Sequence, residues 1–314
     1  MFSFQRRRFL KNIALGTAVI PFGCSFSPNE LLACSFVDEN DKEAKTVETS
    51  QTFPDSFRLT LISKYARKTD SYTQGLLFEF DQKLNKGVLY ESGGKYGASL
   101  LRKTDAETGK VIKQIKIPRQ YFAEGLASVA DRLYLLTWRE RTCFVYDKES
   151  FEQIDEFRYS GEGWGLAYDG KNLVMSDGSA KIRFLDPKTF RQIRSVDVHY
   201  VTSGGKRRSV YNLNELEIVD GEIWANVYQQ EYVVRINPDN GLVLGSALNF
   251  SALTPDSLKA SSEYVLNGLA FDRTARRLFV TGKCWPIMYI FSVEPKKERS
   301  TSERETSFTE TEQR

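Results

Sequence analysis

Histidine is almost absent from this chain: His199 is the single one in 314 residues. Cysteine is nearly as scarce, with Cys24, Cys34, Cys143 and Cys284 and no Cys-x-x-Cys pair. A zinc site would therefore have to lean on carboxylates or scattered thiols, and a Ser-His-Asp arrangement has one imidazole to draw on. His199 follows Val196-Asp197-Val198 and precedes a polar stretch, a setting that favours a structural role over a catalytic one. An excess of either charge is missing too. The 44 Lys and Arg against 41 Asp and Glu leave a net +3, without the basic stripe that a nucleic-acid partner requires. The short run Lys206-Arg207-Arg208 follows Ser203-Gly204-Gly205 and reads as a solvated loop. What the chain does have is 41% hydrophobic and 13% aromatic residues, enough for a large core rich in rings.

The ends differ from the body. Arg6-Arg7-Arg8-Phe9-Leu10-Lys11 precedes the modest apolar run Ile13 to Ile20, the make-up of an export signal. The run falls well short of the ~20 residues that a membrane span needs. Arg-Arg-x-Phe-Leu-Lys is similar to the bacterial twin-arginine address, so residues 1–23 read as a signal and the expected location is the periplasm. Gly23-Cys24 and Leu31-Leu32-Ala33-Cys34 offer two alternative lipid-anchor sites, and membrane contact is expected only through the signal or such an anchor. Residues 24–54 are a polar linker, 55–294 the folded body, and the Ser/Thr/Glu/Arg-rich stretch 295–314 a disordered tail. Cys143 and Cys284 fall in different repeats of that body and read as free thiols.

The body carries a recurring step. Gln74-Gly75-Leu76, Glu124-Gly125-Leu126, Trp164-Gly165-Leu166, Asn214-Glu215-Leu216 and Asn267-Gly268-Leu269 place leucines 50, 40, 50 and 53 residues apart. A period of roughly 40–50 residues signals a propeller or solenoid. After each step come a strand, a tight turn and a second strand; Asp169-Gly170 and Asp220-Gly221 are hairpin turns of this kind. Third and fourth strands follow, which makes a propeller blade. The last repeat has only three strands, Leu269 to Phe271, Arg277 to Val280 and Met288 to Phe291. A spare strand, Phe57 to Ile62, precedes the first repeat. If it joins the last blade, five blades close and no edge stays open. The expected fold is an all-β five-bladed propeller closed by that N-terminal strand.

Closure places side chains. Inner strands start on one rim and second strands end there, so Gln74, Glu124, Trp164, Asn214 and Asn267 should share a rim with Trp138, Tyr228 and Lys283. Aromatics with a few convergent polar groups make a small-molecule pocket; the same amides can equally tie strand ends together. Burial near the axis would raise the Glu124 pKa and suit it to proton transfer, with Lys283 as a positive charge opposite. The two could equally form a buried structural pair, and Trp138 and Trp164 could pack blades.

Several segments carry a family resemblance: Tyr72-Thr73-Gln74-Gly75-Leu76, Glu91-Ser92-Gly93-Gly94-Lys95-Tyr96, Phe122-Ala123-Glu124-Gly125-Leu126, Leu136-Thr137-Trp138, Glu162-Gly163-Trp164, Met175-Ser176-Asp177-Gly178, Leu213-Asn214-Glu215-Leu216-Glu217 and Thr281-Gly282-Lys283-Cys284-Trp285-Pro286. In order, and in every repeat, they resemble the plant and bacterial glutaminyl-peptide cyclotransferases. The resemblance spans about residues 55–293. It implies a five-bladed propeller without metal or other cofactor, acting on peptides or proteins with N-terminal glutamine and releasing ammonia as pyroglutamate forms. It also implies Glu124 as general acid and base, Gln74, Asn214 and Lys283 as substrate-binding polar groups, and Tyr72, Phe122, Trp138 and Trp164 as pocket aromatics. Tyr228 stands where the family pattern has tryptophan, and Ala123 where it has glycine. A non-catalytic envelope propeller holding a peptide or sugar in the same mouth, or a scaffold using its outer surfaces, are the rival readings.

Overall fold

The computed structural model describes residues 57–295; the segments expected to be signal, linker and C-terminal tail, with Cys24 and Cys34, lie outside them. The described chain forms five four-stranded antiparallel sheets arranged as the blades of a propeller. Blade 1 runs Thr73–Asp81, Lys86–Gly93, Leu100–Asp105, Val111–Lys116, and blade 2 runs Ala123–Val129, Arg132–Thr137, Thr142–Asp147, Gln153–Arg158. Blade 3 runs Leu166–Tyr168, Leu173–Met175, Lys181–Leu185, Gln192–Asp197, and blade 4 runs Leu213–Val219, Glu222–Val227, Tyr232–Ile236, Leu248–Asn249. Blade 5 holds Leu266–Asp272, Arg277–Gly282 and Ile287–Pro295, and its outermost strand is Phe57–Ala66, paired from Phe57↔Pro295 to Ala66↔Ile287. This strand is longer than the pattern to Ile62 suggested, because a register shift between Leu61 and Ser63 lets pairing resume beyond the irregularity.

Local chemistry sets the turns. Asp220 and Gly221 both sit at positive φ, +49° and +84°, as a tight hairpin of the right twist requires. Between third and fourth strands, Asp105, Asp147 and Asp186 each accept the backbone N–H groups two and three residues on. Such side-chain turns recur because a short carboxylate can mimic a backbone acceptor.

The two parts of the repeated step have separate jobs. Each leucine enters a different inter-blade core: Leu76, Leu126, Leu166, Leu216 and Leu269 belong to five distinct buried clusters and are at most 2% exposed. Burying each is worth about 1.5–3 kcal/mol. The glycines let neighbouring inner strands close up. A Cβ on Gly165 would lie 2.0 Å from the Asn214 carbonyl oxygen, and one on Gly125 would lie 2.4 Å from the Leu166 nitrogen. In blade 4 a carboxylate replaces the glycine. Glu215, buried, accepts the backbone N–H of Leu269 in blade 5 and of Leu76 in blade 1, so it spans the axis. Burial, with Glu217 nearby, pushes its pKa well up.

Two connections between blades are built out. Between blades 3 and 4, His199–Val201 pairs with Arg207–Ser209 as a two-stranded ribbon. Arg207 and Arg208 are thus strand residues rather than the expected loop, because the Gly204-Gly205 turn folds the segment back on itself; their side chains are exposed all the same. His199 Nδ1 lies 3.0 Å from the Asp197 carbonyl oxygen in this ribbon. Between blades 4 and 5, short 3-10 turns at Ser251–Leu253 and Asp256–Leu258 shape a longer crossing. Cys143 and Cys284 are both free.

Candidate active site

One register position builds most of the site. In four blades, the backbone N–H just beyond or at the end of the second strand bonds the carbonyl two residues before the inner-strand polar residue. The pairs are Gly94 to Tyr72, Trp138 to Phe122, Tyr228 to Asn212, and Lys283 to Val265, at 2.8–3.0 Å. Trp138, Tyr228 and Lys283 are therefore equivalent residues of blades 2, 4 and 5, aligned with Gln74, Glu124, Asn214 and Asn267 by ordinary sheet pairing. Serines fasten the same rim. Ser92 donates to the Glu124 carbonyl oxygen, and Ser176 to the Asn214 carbonyl oxygen at 2.6 Å.

Gln74, Glu124, Asn214, Asn267 and Lys283 are all at most 2% exposed. Three of them form a relay. Asn267 Nδ2 donates to the Thr73 carbonyl oxygen at 2.9 Å and lies 3.5 Å from Gln74 Oε1. The Gln74 amide is thereby turned so that its Nε2 donates to Glu124 Oε1 at 3.1 Å. Asn214 Oδ1, also buried, has no hydrogen-bond partner among the described residues. A buried acceptor left unmet is costly and usually has a reason. Lys283 Nζ sits 4.8 Å from the Tyr72 ring centroid and 4.9 Å from that of Tyr228, so two aromatic faces flank the ammonium. Cys284, at φ +57°, turns the chain immediately after this lysine, and its N–H bonds the Ser71 carbonyl oxygen.

The aromatic wall has two runs of touching rings. Tyr72 meets Phe122 edge-on at 6.3 Å, Phe122 meets Trp138 at 5.6 Å, and Trp164 meets Tyr228 at 5.8 Å. Tyrosine at 228 thus keeps a ring in the wall, and the Ala123 methyl is fully buried.

Glu162 was not anticipated. Its Oε2 accepts both indole N–H groups, from Trp138 at 2.7 Å and Trp164 at 3.0 Å, while Arg139 Nε donates to Oε1 at 3.2 Å. Glu140 props the same wall, accepting the Tyr96 hydroxyl at 2.8 Å and the Phe122 N–H at 3.3 Å. Tyr96, also unforeseen, packs on Phe122 at 5.3 Å. A carboxylate two residues before a rim tryptophan was the only sequence signal for Glu162.

Beneath the rim, Arg67 donates to Thr281 Oγ1 at 2.9 Å and pairs with Glu91 at 2.5 Å. Burial alone would raise the Glu91 pKa, but the guanidiniums of Arg67 and Arg102 outweigh it and hold the group below its ordinary value. This buried network anchors blade 1 to blade 5 where Tyr72 and Lys283 meet. Among the described residues no three His, Cys, Asp or Glu side chains group so as to hold a metal ion.

The site is thus a buried carboxylate with an oriented amide donor, an ammonium, an unmet acceptor and an aromatic wall. Comparison with known proteins bears on it. A family model described as glutamine cyclotransferase matches residues 32–293. The chain is 38% identical over 245 residues to the glutaminyl-peptide cyclotransferase of Arabidopsis thaliana, covering 77% of this chain and 73% of that one. Among solved structures, the glutaminyl cyclase of Myxococcus xanthus matches with a TM-score of 0.67 at 35% identity, over 76% of this chain and 97% of the other.

Proposed function

Since this chain belongs to the glutamine cyclotransferase family, we propose that it converts N-terminal glutamine of peptides or proteins to pyroglutamate without a metal, with Glu124 as its general acid and base. The substrate's neutral α-amine attacks the side-chain amide carbon. A C–N bond closes the five-membered ring, the bond to the amide nitrogen breaks, and ammonia departs. Glu124 takes the proton that the attacking amine loses and delivers it to the leaving nitrogen. Its place suits proton transfer, because Gln74 holds one carboxylate oxygen from the side and water is largely excluded.

The other groups divide the remaining work. Asn214 Oδ1 accepts an N–H of the bound glutamine, which meets its hydrogen-bonding need. Lys283 stabilises the carbonyl oxygen as charge develops on it. The wall of Tyr72, Phe122, Trp138, Trp164 and Tyr228 keeps the glutamine side chain folded toward its own amine. Because attack is intramolecular, that folding supplies much of the acceleration.

The observation that carries this reading is the buried Glu124 carboxylate aligned by Gln74 inside an aromatic wall. The test is ammonia release from a Gln-initiated dipeptide. Glu124→Gln preserves shape and is expected to lower kcat by roughly 10²–10⁴-fold. Equal rates in the two proteins would remove Glu124 from its role, and no release by the parent would remove the activity. Export to the periplasm by the twin-arginine-like segment belongs to the same proposal, and retention of an Arg6→Lys, Arg7→Lys variant in the cytoplasm is its expected outcome.

A further inference from the structure

Beside the site, between blades 5 and 1, lies a cavity of ≈ 510 Å³ that the chemistry above leaves unused. Its volume falls within the roughly 300–1,000 Å³ usual for ligand pockets. It adjoins the site through shared parts. Tyr72, whose ring flanks the Lys283 ammonium and meets Phe122, also lines the cavity. So does Cys284, the residue after Lys283. Gly94 forms part of the same boundary, and its backbone lies so close to Phe122 that a Cβ there would fall 2.3 Å from the ring.

The far wall is the built-out crossing from blade 4 to blade 5, which contributes Ser257, Leu258 and Tyr264. This wall is pinned. Trp285 Nε1 donates to the Tyr264 carbonyl oxygen at 2.8 Å, the Tyr289 hydroxyl to the Leu253 carbonyl oxygen at 2.9 Å, and the Thr254 hydroxyl to Glu231 at 2.6 Å. Leu258 packs against the core of blades 4 and 5 while still facing the cavity. Tyr72, Leu258, Tyr264 and Pro286 give the lining an apolar and aromatic character, with Asp70 and Lys95 also on its boundary.

Resting on the cyclotransferase reading, we propose that this cavity receives the side chain of the second or third substrate residue, with a preference for aliphatic or aromatic groups. A glutamine whose amine and side chain are both held at Glu124 can continue only through its own carbonyl. Each further residue advances the chain by about 3.3–3.6 Å, so the next one or two residues come within reach of a cavity that shares Tyr72 with the site. Once there, an apolar side chain meets a preformed surface, which lowers the cost of ordering the peptide. The substrate class becomes peptides with a large apolar residue directly after the N-terminal glutamine or one place further on.

The experiment compares kcat/KM for ammonia release from Gln-Gly-Gly, Gln-Leu-Gly, Gln-Gly-Leu and Gln-Asp-Gly. In the parent protein, one of the leucine peptides is expected to exceed Gln-Gly-Gly by about tenfold. Leu258→Ser should cut that advantage to about twofold while Gln-Gly-Gly turnover stays as before. Ala98→Arg, an exposed position on the cavity boundary, should do the same by filling it, and serves if Leu258→Ser does not fold. The proposal is overturned by equal turnover of all four peptides, or by a leucine advantage that survives both substitutions. A salt-sensitive preference for Gln-Asp-Gly also overturns it and points to Lys95 on the cavity boundary instead. If Gln-Gly-Gly and the rest release no ammonia at all, the cyclotransferase reading itself fails, which is a distinct result.

Discussion

Glu162→Gln isolates the residue that holds the aromatic wall together. All three of its neighbours donate: the indoles of Trp138 and Trp164 to Oε2, and Arg139 to Oε1. A carboxylate is acceptor-only and satisfies all three, whereas a glutamine amide must point its NH2 either at the two indoles or at the guanidinium. At least one donor then faces another donor. A hydrogen bond to a charged group contributes about 1.5–3 kcal/mol when well buried. The Glu162 side chain is 34% exposed, so water offsets part of that. A net loss of about 1–2 kcal/mol in wall positioning follows, which at 1.36 kcal/mol per tenfold is roughly a 5–30-fold change. Because the wall both holds the glutamine and keeps it folded toward its own amine, the change should appear in kcat/KM, shared between KM and kcat. Steady-state ammonia release over a range of Gln-dipeptide concentrations measures both, and the change in tryptophan fluorescence against the fixed background of buried Trp224 and Trp285 reports the two indoles. A kcat/KM within twofold of the parent would refute this account of Glu162.

Other expectations concern the frame of the site. Burial pushes the Glu217 carboxyl from 4.5 up to about 7, so the folded chain holds a proton there that the unfolded chain releases. Stability should therefore fall as pH rises from about 4.5 to about 7, and Glu217→Gln should recover about 3 kcal/mol at pH ~8 and nothing at pH ~4. Urea unfolding at both pH values checks this; an equal effect at each contradicts it. Gly165→Ala should destabilise by at least about 3 kcal/mol in thermal unfolding, since the added methyl would lie 2.0 Å from a backbone oxygen. Asn267→Ala removes the bond to Thr73 and the contact that orients Gln74. It should cost about 1–3 kcal/mol of stability and lower kcat about tenfold, and an unchanged kcat would detach Asn267 from the relay.

The propeller was legible because its signal is local and repeated. Each Gly-Leu step encodes a close backbone approach and one core leucine, and each can be read without knowing its neighbours. Gln74, Glu124, Asn214 and Lys283 were legible for a related reason: their positions follow from strand direction alone. Glu162 was not, because it acts only once closure brings Trp138 and Trp164 within reach of one carboxylate, and no spacing in the chain records that distance. The Arg207–Ser209 ribbon was hidden for the opposite reason. A three-residue polar strand has no alternation strong enough to separate it from a loop. The outer strand of blade 4 shrank to Leu248–Asn249, so its presence rests on pairing with Tyr232 and Val233 more than on its own sequence.

Glu215 has a consequence for how the ring holds together. From blade 4 its carboxylate bonds the inner strands of blades 5 and 1, where the other blades carry glycine. The seam between the first and last blades is where a closed ring of blades would open, and this side chain reaches across it from a third blade. Closure therefore rests on a rivet at the hub as well as on the outer strand Phe57–Ala66 at the rim.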